Sequence, residues 1–284
     1  MDEYKVCSAI GRILLASDMA LRYTGAPLHF CISGGKDSSV IQQLAIEARV
    51  PAVFVHTLTT VDAPETVHFV RSEFGRLRVL GYAARIDRPP RSMWRLIEDK
   101  CGFPPMRMAR YCCQLIKERQ VLSADGRKAM IVTGVRWSES VRRRSRGAFE
   151  ALGSSVENNL ILAEDNDPAR KLFEDCKLKG TRVCNPIVDW SDEDVWTFLL
   201  SCGVPYNPLY DRGFKRVGCI GCPMASVRER EAQFRAWPGY ARAYIRALDR
   251  GLAKGRALGK PSNFSSGAEF FDWWLYGEKR KDKS

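Results

Sequence analysis

Residues 28–39 read LHFCISGGKDSS, and this stretch decides the fold. The apolar run at 28–32 is typical of a buried strand, and residues 37–49 place apolar side chains at helical spacing. Between them lies SGGKDS at 33–38, where two glycines allow a tight turn that directs backbone N–H groups towards an anion. The stretch therefore predicts a phosphate-binding loop before a helix N-terminus. An ordinary glycine-rich turn is the alternative, and the GxxxxGKS spacing of a Walker A loop is absent.

Strand-like and helix-like runs alternate over the first 140 residues. Strands are expected at 28–32, 52–57, 77–82 and 130–134, and helices at 37–49, 64–74 and 92–100. This alternation predicts an α/β fold with a doubly wound, mainly parallel sheet. Ligands bind beyond the carboxyl ends of the strands in such sheets, so the loop at 33–38 is the expected site.

The rest of the chain consists of segments that differ in composition. Residues 142–179 form a polar excursion that starts with the basic cluster Arg142, Arg143, Arg144 and Arg146, and a helix is expected from the N-cap Ser191 to about Cys202. Residues 203–284 carry 16 Lys and Arg against 8 Asp and Glu. We predict an N-terminal helix at 1–24, a nucleotide-binding domain at 25–225 and a basic, aromatic-rich helical extension at 226–284.

Arginine alternates with aromatic residues between 227 and 258, as a long basic helix would show. The aromatic rings would either stack on nucleic-acid bases or pack against the core, and packing is slightly favoured. The rings at 270, 271, 273 and 274 are read as a packing or partner-docking patch.

Composition excludes several classes of protein. The 284 residues carry 45 Lys and Arg against 33 Asp and Glu, a net charge of +12, and 45% of them are hydrophobic, as in globular proteins. No apolar run reaches the roughly 18 residues of a membrane span, and the acidic start MDEYKV differs from a secretion signal. A folded cytoplasmic protein is expected, whose ten cysteines are free thiols, metal ligands or redox groups.

Two pairs of cysteines stand out by spacing. Cys112 and Cys113 are adjacent, and Cys219 and Cys222 form a CxxC pair. Four thiolates bind zinc or an iron–sulfur cluster, and buried thiols without a metal are the third alternative. Cys184 is read as a strand residue and Cys202 as a helix-end core residue, rather than as nucleophiles.

The hexapeptide at 33–38 resembles the SGGxDS loop of the PP-loop ATP pyrophosphatases, which cleave ATP between its α- and β-phosphates. Three later segments resemble the phosphoadenosine phosphosulfate (PAPS) reductase family: TVDAPET at 60–66, GVRWSES at 134–140, and the run from NP at 185–186 through DW at 189–190 to DVW at 194–196. The resemblance covers about residues 25–225. It implies an adenine nucleotide α-hydrolase-like fold.

The resemblance also implies roles for individual residues. The loop would bind the phosphates of ATP, or the sulfonucleotides PAPS or APS, and Lys36, Asp37 and Arg136 would be catalytic, with Arg136 stabilising negative charge in the transition state. Asp37 and Asp62 are candidate Mg²⁺ ligands, with turn formation the equal alternative for Asp62. The implied nucleotide-binding residues are Ser33, Gly34, Gly35, Lys36, Asp37, Ser38, Asp62 and Arg136.

The cysteine pattern resembles the [4Fe-4S] site of APS reductases and of Dnd-type DNA phosphorothioation proteins. It implies that Cys112, Cys113, Cys219 and Cys222 are cluster ligands. One departure is important: the reductases use a later cysteine in an ECGLH-like motif as nucleophile, whereas residues 223–284 contain neither Cys nor His.

We therefore expect an ATP pyrophosphatase that acts in sulfur transfer, with nucleic-acid thiolation such as DNA phosphorothioation as its best precedent. The expected partners are an adenine nucleotide, a cysteine desulfurase as sulfur donor, and nucleic acid, DNA more than RNA, in a homo-oligomer or multi-protein complex. A PAPS or APS reductase with an external nucleophile is the first alternative. A nucleic-acid-binding module with a structural metal site is the second.

Overall fold

The computed structural model describes residues 2–118, 129–151, 181–260 and 262–277. The chain forms two compact units that are interleaved in sequence. The first unit comprises Met1–His56, Glu65–Asp87 and Val121–Val217, and the second comprises Thr57–Pro64, Arg88–Gln120 and Gly218–Ser284. The boundaries expected at 24/25 and 225/226 stay a prediction about sequence domains.

The helices and strands are numbered in chain order over the described residues. The strands are β1 Leu28–Cys31, β2 Ala52–Thr57, β3 Ala83–Asp87, β4 Ile131–Val132, β5 Phe149–Ala151 and β6 Thr181–Cys184. The α-helices are α1 Glu3–Thr24, α2 Lys36–Ala48, α3 Pro64–Val79, α4 Met93–Asp99, α5 Asp192–Ser201, α6 Val227–Ala236, α7 Pro238–Ala257 and α8 Gly267–Tyr276. A π-helix spans Cys113–Glu118, and two 3₁₀ turns span Trp137–Glu139 and Val141–Arg143. No helix within the described ranges has the length and apolar character that crossing a membrane requires.

The first unit is built around a six-stranded sheet in the order β3-β2-β1-β4-β6-β5. Strand β1 pairs in parallel with β2 and β4, β4 pairs in parallel with β6, and β5 runs antiparallel to β6. This confirms the predicted mainly parallel, doubly wound sheet. The strand order reverses direction between β1 and β4, so the topological switch point of the sheet lies there.

The sheet is buried between helices, as its apolar strands require. Phe30 on β1 and Phe54 on β2 are fully buried, and their ring centroids lie 5.3 Å apart. Helix α5 starts at the expected N-cap, since the Ser191 side chain accepts from the backbone N–H of Asp194. It ends with Cys202 as its C-cap.

One predicted strand was wrong. Residues 77–82 continue helix α3 and the turn that ends it, because Leu77 lies on the same buried face as Val70 and Phe74. The turn contains Gly81 with φ +87°, and the strand follows at Ala83–Asp87. No residue of β3 is fully buried, so its apolar signal in the sequence is weak.

The second unit has an aromatic core. Tyr244 on α7 lies 4.9 Å from Trp274 and 5.0 Å from Trp94, between ring centroids, and Phe234 lies 5.0 Å from Phe271. These rings therefore pack inside the unit and are not a base-stacking surface. At 270–274, Trp274 and its buried neighbours confirm the packing interpretation.

Two further expectations needed correction. The single helix expected over 227–258 is two helices, because Trp237 ends α6 and Pro238 starts α7 at the first helical position that proline favours. Cys202 does lie at a helix end, but it is exposed rather than in the core, because it follows the last turn of α5 on the protein surface.

Candidate functional site

The loop at 33–38 follows β1 at the switch point of the sheet. Gly34 has φ +78°, and a Cβ atom there would lie 2.8 Å from Cγ2 of Thr66. Asn207 fixes this position, since its Nδ2 donates to the Gly34 carbonyl at 3.0 Å and to Oγ1 of Thr66 at 3.1 Å. The glycine is therefore required both by the backbone conformation and by the close packing of α3.

Internal hydrogen bonds hold the loop in its turn. The Gly35 N–H donates to Oγ of Ser33 at 3.3 Å, and Oγ of Ser38 donates to the Gly35 carbonyl at 2.7 Å. The Lys36 N–H donates to the Tyr210 hydroxyl at 3.0 Å. Burial raises the pKa of Tyr210 to about 12, so its hydroxyl stays protonated at neutral pH. These bonds and the Tyr210 hydroxyl therefore fix the shape of the loop.

Arg136 is the buried cation of this site, with 1% of its side chain exposed. Its Nε donates to Oδ1 of Asp37 at 2.7 Å, and its Nη1 donates to Oγ of Ser138 at 2.6 Å and to the Trp190 carbonyl at 3.2 Å. It follows β4, where a Cβ on Gly134 would lie 3.0 Å from the Asp37 carbonyl oxygen. The loops after β1 and β4 therefore meet closely at the switch point.

Asp192, the first residue of α5, joins the two cations of the site. Its Oδ1 lies 3.2 Å from Nζ of Lys36 and accepts from Nη2 of Arg136 at 2.5 Å, although 71% of its side chain is exposed. Partial burial raises the pKa of Asp192, but hydrogen bonds from Arg136 and Lys36 outweigh that effect and hold it below its usual value. A phosphate that bound both cations would have to compete with this carboxylate.

The four predicted cluster cysteines all lie in the second unit. The pKa of Cys112 is raised strongly by its hydrogen bond with Cys113 and by burial, and also by the charges of Cys219 and Cys222. Burial raises the pKa of Cys219. The four sulfurs therefore interact electrostatically, and a bound cation would be needed to keep them together as thiolates.

Lys117 and Thr59 contact this cysteine group. The Lys117 ammonium hydrogen-bonds Cys219, whose negative charge raises the pKa of the lysine, and Cys219 Sγ lies 3.5 Å from Oγ1 of Thr59. Asp62 accepts from the Thr59 N–H at 2.6 Å and from the Thr59 hydroxyl at 2.7 Å. Asp62 thus forms the turn, and its role as a Mg²⁺ ligand stays a prediction.

The CxxC segment is fixed from three sides. The Ile220 N–H donates to the Val61 carbonyl at 2.8 Å, and the Ile220 carbonyl accepts from the Tyr244 hydroxyl at 3.0 Å. Gly221 has φ +74°, and a Cβ there would lie 2.8 Å from Cζ of Phe234. The turn that carries Cys219 and Cys222 therefore rests directly on the aromatic core.

The four cysteine sulfurs are ligands of the type that binds iron in iron–sulfur clusters. Four cysteine thiolates are the ligand set that would hold a [4Fe-4S] cluster. Within the described ranges, no three His, Cys, Asp or Glu side chains converge on one point as a single ion would need. The cysteines are thus a suitable donor set and not a preformed single-ion site.

Several site residues were missed by sequence reasoning. Asp192 was read only as a helix-dipole residue, and nothing marked Asn207 or Tyr210, which reach the loop through tertiary folding. Lys117 had a signal: it lies four residues after Cys113, the spacing of one helical turn. Cys184 is buried, and burial raises its pKa to about 12, which agrees with a structural thiol.

The fold is thus a mainly parallel α/β sheet with a tight glycine loop after β1 at its switch point. The profile of the phosphoadenosine phosphosulfate reductase domain matches residues 27–225. The chain therefore belongs to the PAPS reductase family, as its motifs predicted.

Individual proteins are also similar to this chain. An adenosine 5'-phosphosulfate reductase of Allochromatium vinosum is 27% identical over 215 residues, which are 73% of this chain and 72% of that protein. A PAPS reductase structure from Candida auris has 18% identity and a TM-score of 0.47, over 72% of this chain and 87% of that one. The U34-tRNA thiolase NcsA of Methanococcus maripaludis, solved with its [4Fe-4S] cluster, has 12% identity and a TM-score of 0.44, over 88% and 81%.

Proposed function

We propose that this member of the PAPS reductase family is an ATP pyrophosphatase that activates a nucleic-acid oxygen for replacement by sulfur. DNA phosphorothioation is the reaction that fits best, with a cysteine desulfurase as the source of sulfur. The observation that carries the proposal is the pair of cations Lys36 and Arg136 beside the loop at the switch point of the sheet. This is where an open α/β sheet binds the phosphates of a nucleotide.

The chemistry balances when sulfur enters at the oxidation level of sulfide. Because a desulfurase delivers its sulfur as a persulfide, a second thiol must supply the two electrons that release it as sulfide, and that thiol becomes part of a disulfide. The acceptor oxygen bonds to the α-phosphorus of ATP while the bond from that phosphorus to the leaving oxygen breaks, so pyrophosphate departs with the electron pair. A sulfur nucleophile at the oxidation level of sulfide then attacks the activated atom, and AMP leaves with the acceptor oxygen.

The chain's own residues act on charge and position. Lys36 and Arg136 stabilise the negative charge that develops on the α-phosphate, and the buried guanidinium is held in place by Asp37. The Gly34-Gly35 turn keeps its shape because Tyr210 accepts from the Lys36 N–H. Asp37 is also the candidate Mg²⁺ ligand of the loop.

The cysteine group would hold the [4Fe-4S] cluster, through Cys112, Cys113, Cys219 and Cys222. When bound, such a cluster supplies iron to which a sulfur atom can attach. Lys117 offsets part of the negative charge that four thiolates bring into the second unit. An anaerobic count of iron and sulfide tests this part, and one zinc without iron would contradict it.

The test is cleavage of ATP. Anaerobically purified protein, with its iron content measured, is incubated with Mg²⁺ and α-labelled ATP, alone and with DNA or RNA. We expect AMP and pyrophosphate, stimulated by one nucleic acid, and at least a 100-fold loss in the Lys36→Ala variant but not in the exposed control Lys260→Ala. No cleavage by protein with full iron would contradict the proposal.

A reductase acting on APS or PAPS is the second candidate, because the relative from Allochromatium vinosum is named as one. Residues 223–284 contain no cysteine, so this activity would take its nucleophile from another protein. Release of sulfite from either sulfonucleotide in the presence of thioredoxin would favour the reductase. Absence of sulfite together with ATP cleavage would favour the pyrophosphatase.

A further inference from the structure

The arginines of the basic cluster at 142–146 differ in whether they form ion pairs. Arg143 forms an ion pair with Glu139, and Arg146 pairs with Glu150 at 3.0 Å. For the exposed Arg144, the part of the chain that the structure describes offers no carboxylate within ion-pairing distance. The side chain of Arg142 lies outside the described residues. Among the described side chains of this cluster, Arg144 is therefore the one without an ion pair.

Arg144 lines an open cleft of about 460 Å³, within the volume range of sites for small ligands. Trp137 forms another part of the lining, and its indole is fixed because Nε1 donates to the Arg146 carbonyl at 2.6 Å. Among the described rings, none stacks on this indole. The lining residues are Trp137, Ser138, Arg144, Asp189, Trp190 and Ser191.

The acidic residue of the cleft does not oppose an anion. Asp189 is held by Arg12 through two hydrogen bonds of 2.8 and 2.9 Å, so its charge is already balanced. Among the described residues, the cleft therefore offers the Arg144 cation and the Trp137 indole, which a hydrogen bond orients. A phosphodiester and a base are the groups that such a pair binds in single-stranded nucleic acids.

The cleft is connected to the anion site by direct contacts. Nη1 of Arg136 donates to Oγ of Ser138 and to the Trp190 carbonyl, and both residues line the cleft. The opposite end of the same guanidinium holds Asp37 and Asp192. Arg136 thus contacts both the predicted nucleotide site and the cleft, so the two places are direct neighbours.

We propose that this cleft binds one nucleotide unit of a single-stranded nucleic acid, with its base on Trp137 and its phosphodiester on Arg144. This inference rests on the proposed function, because it places the acceptor strand of that reaction beside Arg136. In the sequence analysis, base stacking was considered only for the aromatic residues between 227 and 258, and packing was slightly favoured there.

The experiment measures binding of fluorescein-labelled 12-nucleotide DNA and RNA strands by anisotropy. We compare wild-type protein with Arg144→Glu and Arg144→Ala, and with Arg246→Glu as a matched charge reversal at an exposed position of α7. We expect Arg144→Glu to weaken binding about tenfold or more and Arg246→Glu to leave it within about twofold. Arg144→Ala should reduce the salt dependence by about 0.7 in the log–log slope, the value for one phosphate on a single strand.

A second measurement locates the base. Strands that contain 5-iodouracil are photo-crosslinked, and we expect the adduct on the peptide that contains Trp137. The proposal is overturned if neither strand binds, if Arg144→Glu binds as wild type does, if Arg246→Glu loses as much affinity, or if the adduct lies elsewhere. DNA binding without RNA binding, or the reverse, names the acceptor.

ATP cleavage by the wild-type protein is measured separately, so that the two proposals can fail independently. If strand binding depends on Arg144 but ATP is not cleaved, the cleft proposal is supported and the pyrophosphatase proposal is contradicted. If nucleic acid stimulates ATP cleavage but strand binding does not depend on Arg144, the pyrophosphatase proposal is supported and the cleft proposal is contradicted.

Discussion

The shape of the loop depends on Gly34 because glycine has no side chain. The Gly34→Ala variant must place a Cβ 2.8 Å from Thr66 and 3.0 Å from Val70 at a positive φ. We expect a loss of about 1–3 kcal/mol in the free energy of unfolding, from strain and overpacking, together with weaker ATP binding. Thermal unfolding and ATP titration measure the two effects.

The control for this change is Gly75→Ala on helix α3. A Cβ at Gly75 would meet nothing within 4 Å, so alanine should stabilise the helix by about 0.5–1 kcal/mol. Equal behaviour of the two variants would show that the loop tolerates a side chain at Gly34.

Asp192 leads to a prediction about ligand affinity. Its carboxylate bridges Lys36 and Arg136, so Asp192→Asn should free both cations for phosphate and tighten ATP binding. For an exposed ion pair of about 1 kcal/mol, the gain is about fivefold. Isothermal titration measures it, with the exposed neighbour Glu193→Gln as control for the loss of one negative charge. Weaker binding by Asp192→Asn would show instead that this carboxylate positions Arg136.

At the scale of elements, the sequence was informative wherever local pattern and tertiary packing agree. Strand β1, the glycine turn and helix α2 follow each other without a gap, and the N-cap Ser191 marks the start of α5. Strand β3 could not be located, because an edge strand without a fully buried residue has little apolar pattern to detect.

The same limit applies to the site, because only residues within a local sequence pattern could be predicted. The loop and Arg136 were predicted as site residues from motifs that are contiguous in sequence. Tyr210 and Asn207 contact the loop from more than 170 positions away, and no local pattern encodes such a contact. Trp137 and Arg144 were visible as residue types, but only the pairing of their neighbours with Glu139 and Glu150 distinguishes Arg144.

The CxxC turn gives a prediction for an element. Gly221→Ala places a Cβ against Phe234, Tyr244 and Trp274, so the turn must move away from the aromatic core. We expect loss of most iron and a lower Tm, while Gly218→Ala, where a Cβ meets nothing within 4 Å, keeps both. Iron analysis and calorimetry are the measurements. Full iron in the Gly221→Ala protein would contradict the proposed role of this turn.

At the scale of the whole molecule, the two units should respond differently to removal of the proposed cluster. Binding energy of a metal group is folding energy for the unit that holds it, and the four cysteines belong to the second unit. After anaerobic chelation, we expect faster amide exchange at Cys113 and Ile220, whose N–H groups donate to Arg110 and Val61.

The sheet of the first unit is the internal control for this measurement. The N–H groups of His29 and Ile32 donate to neighbouring strands at 3.0 and 2.8 Å and should keep their protection. Hydrogen–deuterium exchange with mass spectrometry reads all of these peptides in one experiment. Unchanged exchange throughout, or an equal increase in the sheet, would contradict a cluster that stabilises the second unit alone.

Because the two units are interleaved in sequence, the ribosome synthesises the segments of the second unit at different times. The second unit takes Thr57–Pro64 and Arg88–Gln120 from the first half of the chain and Gly218–Ser284 from its end. Cys112 and Cys113 are synthesised about a hundred residues before Cys219, a delay of about 5–20 s at usual elongation rates. During that interval Cys112 and Cys113 are present without Cys219 and Cys222, so the proposed cluster cannot have all four ligands until Cys222 has been synthesised.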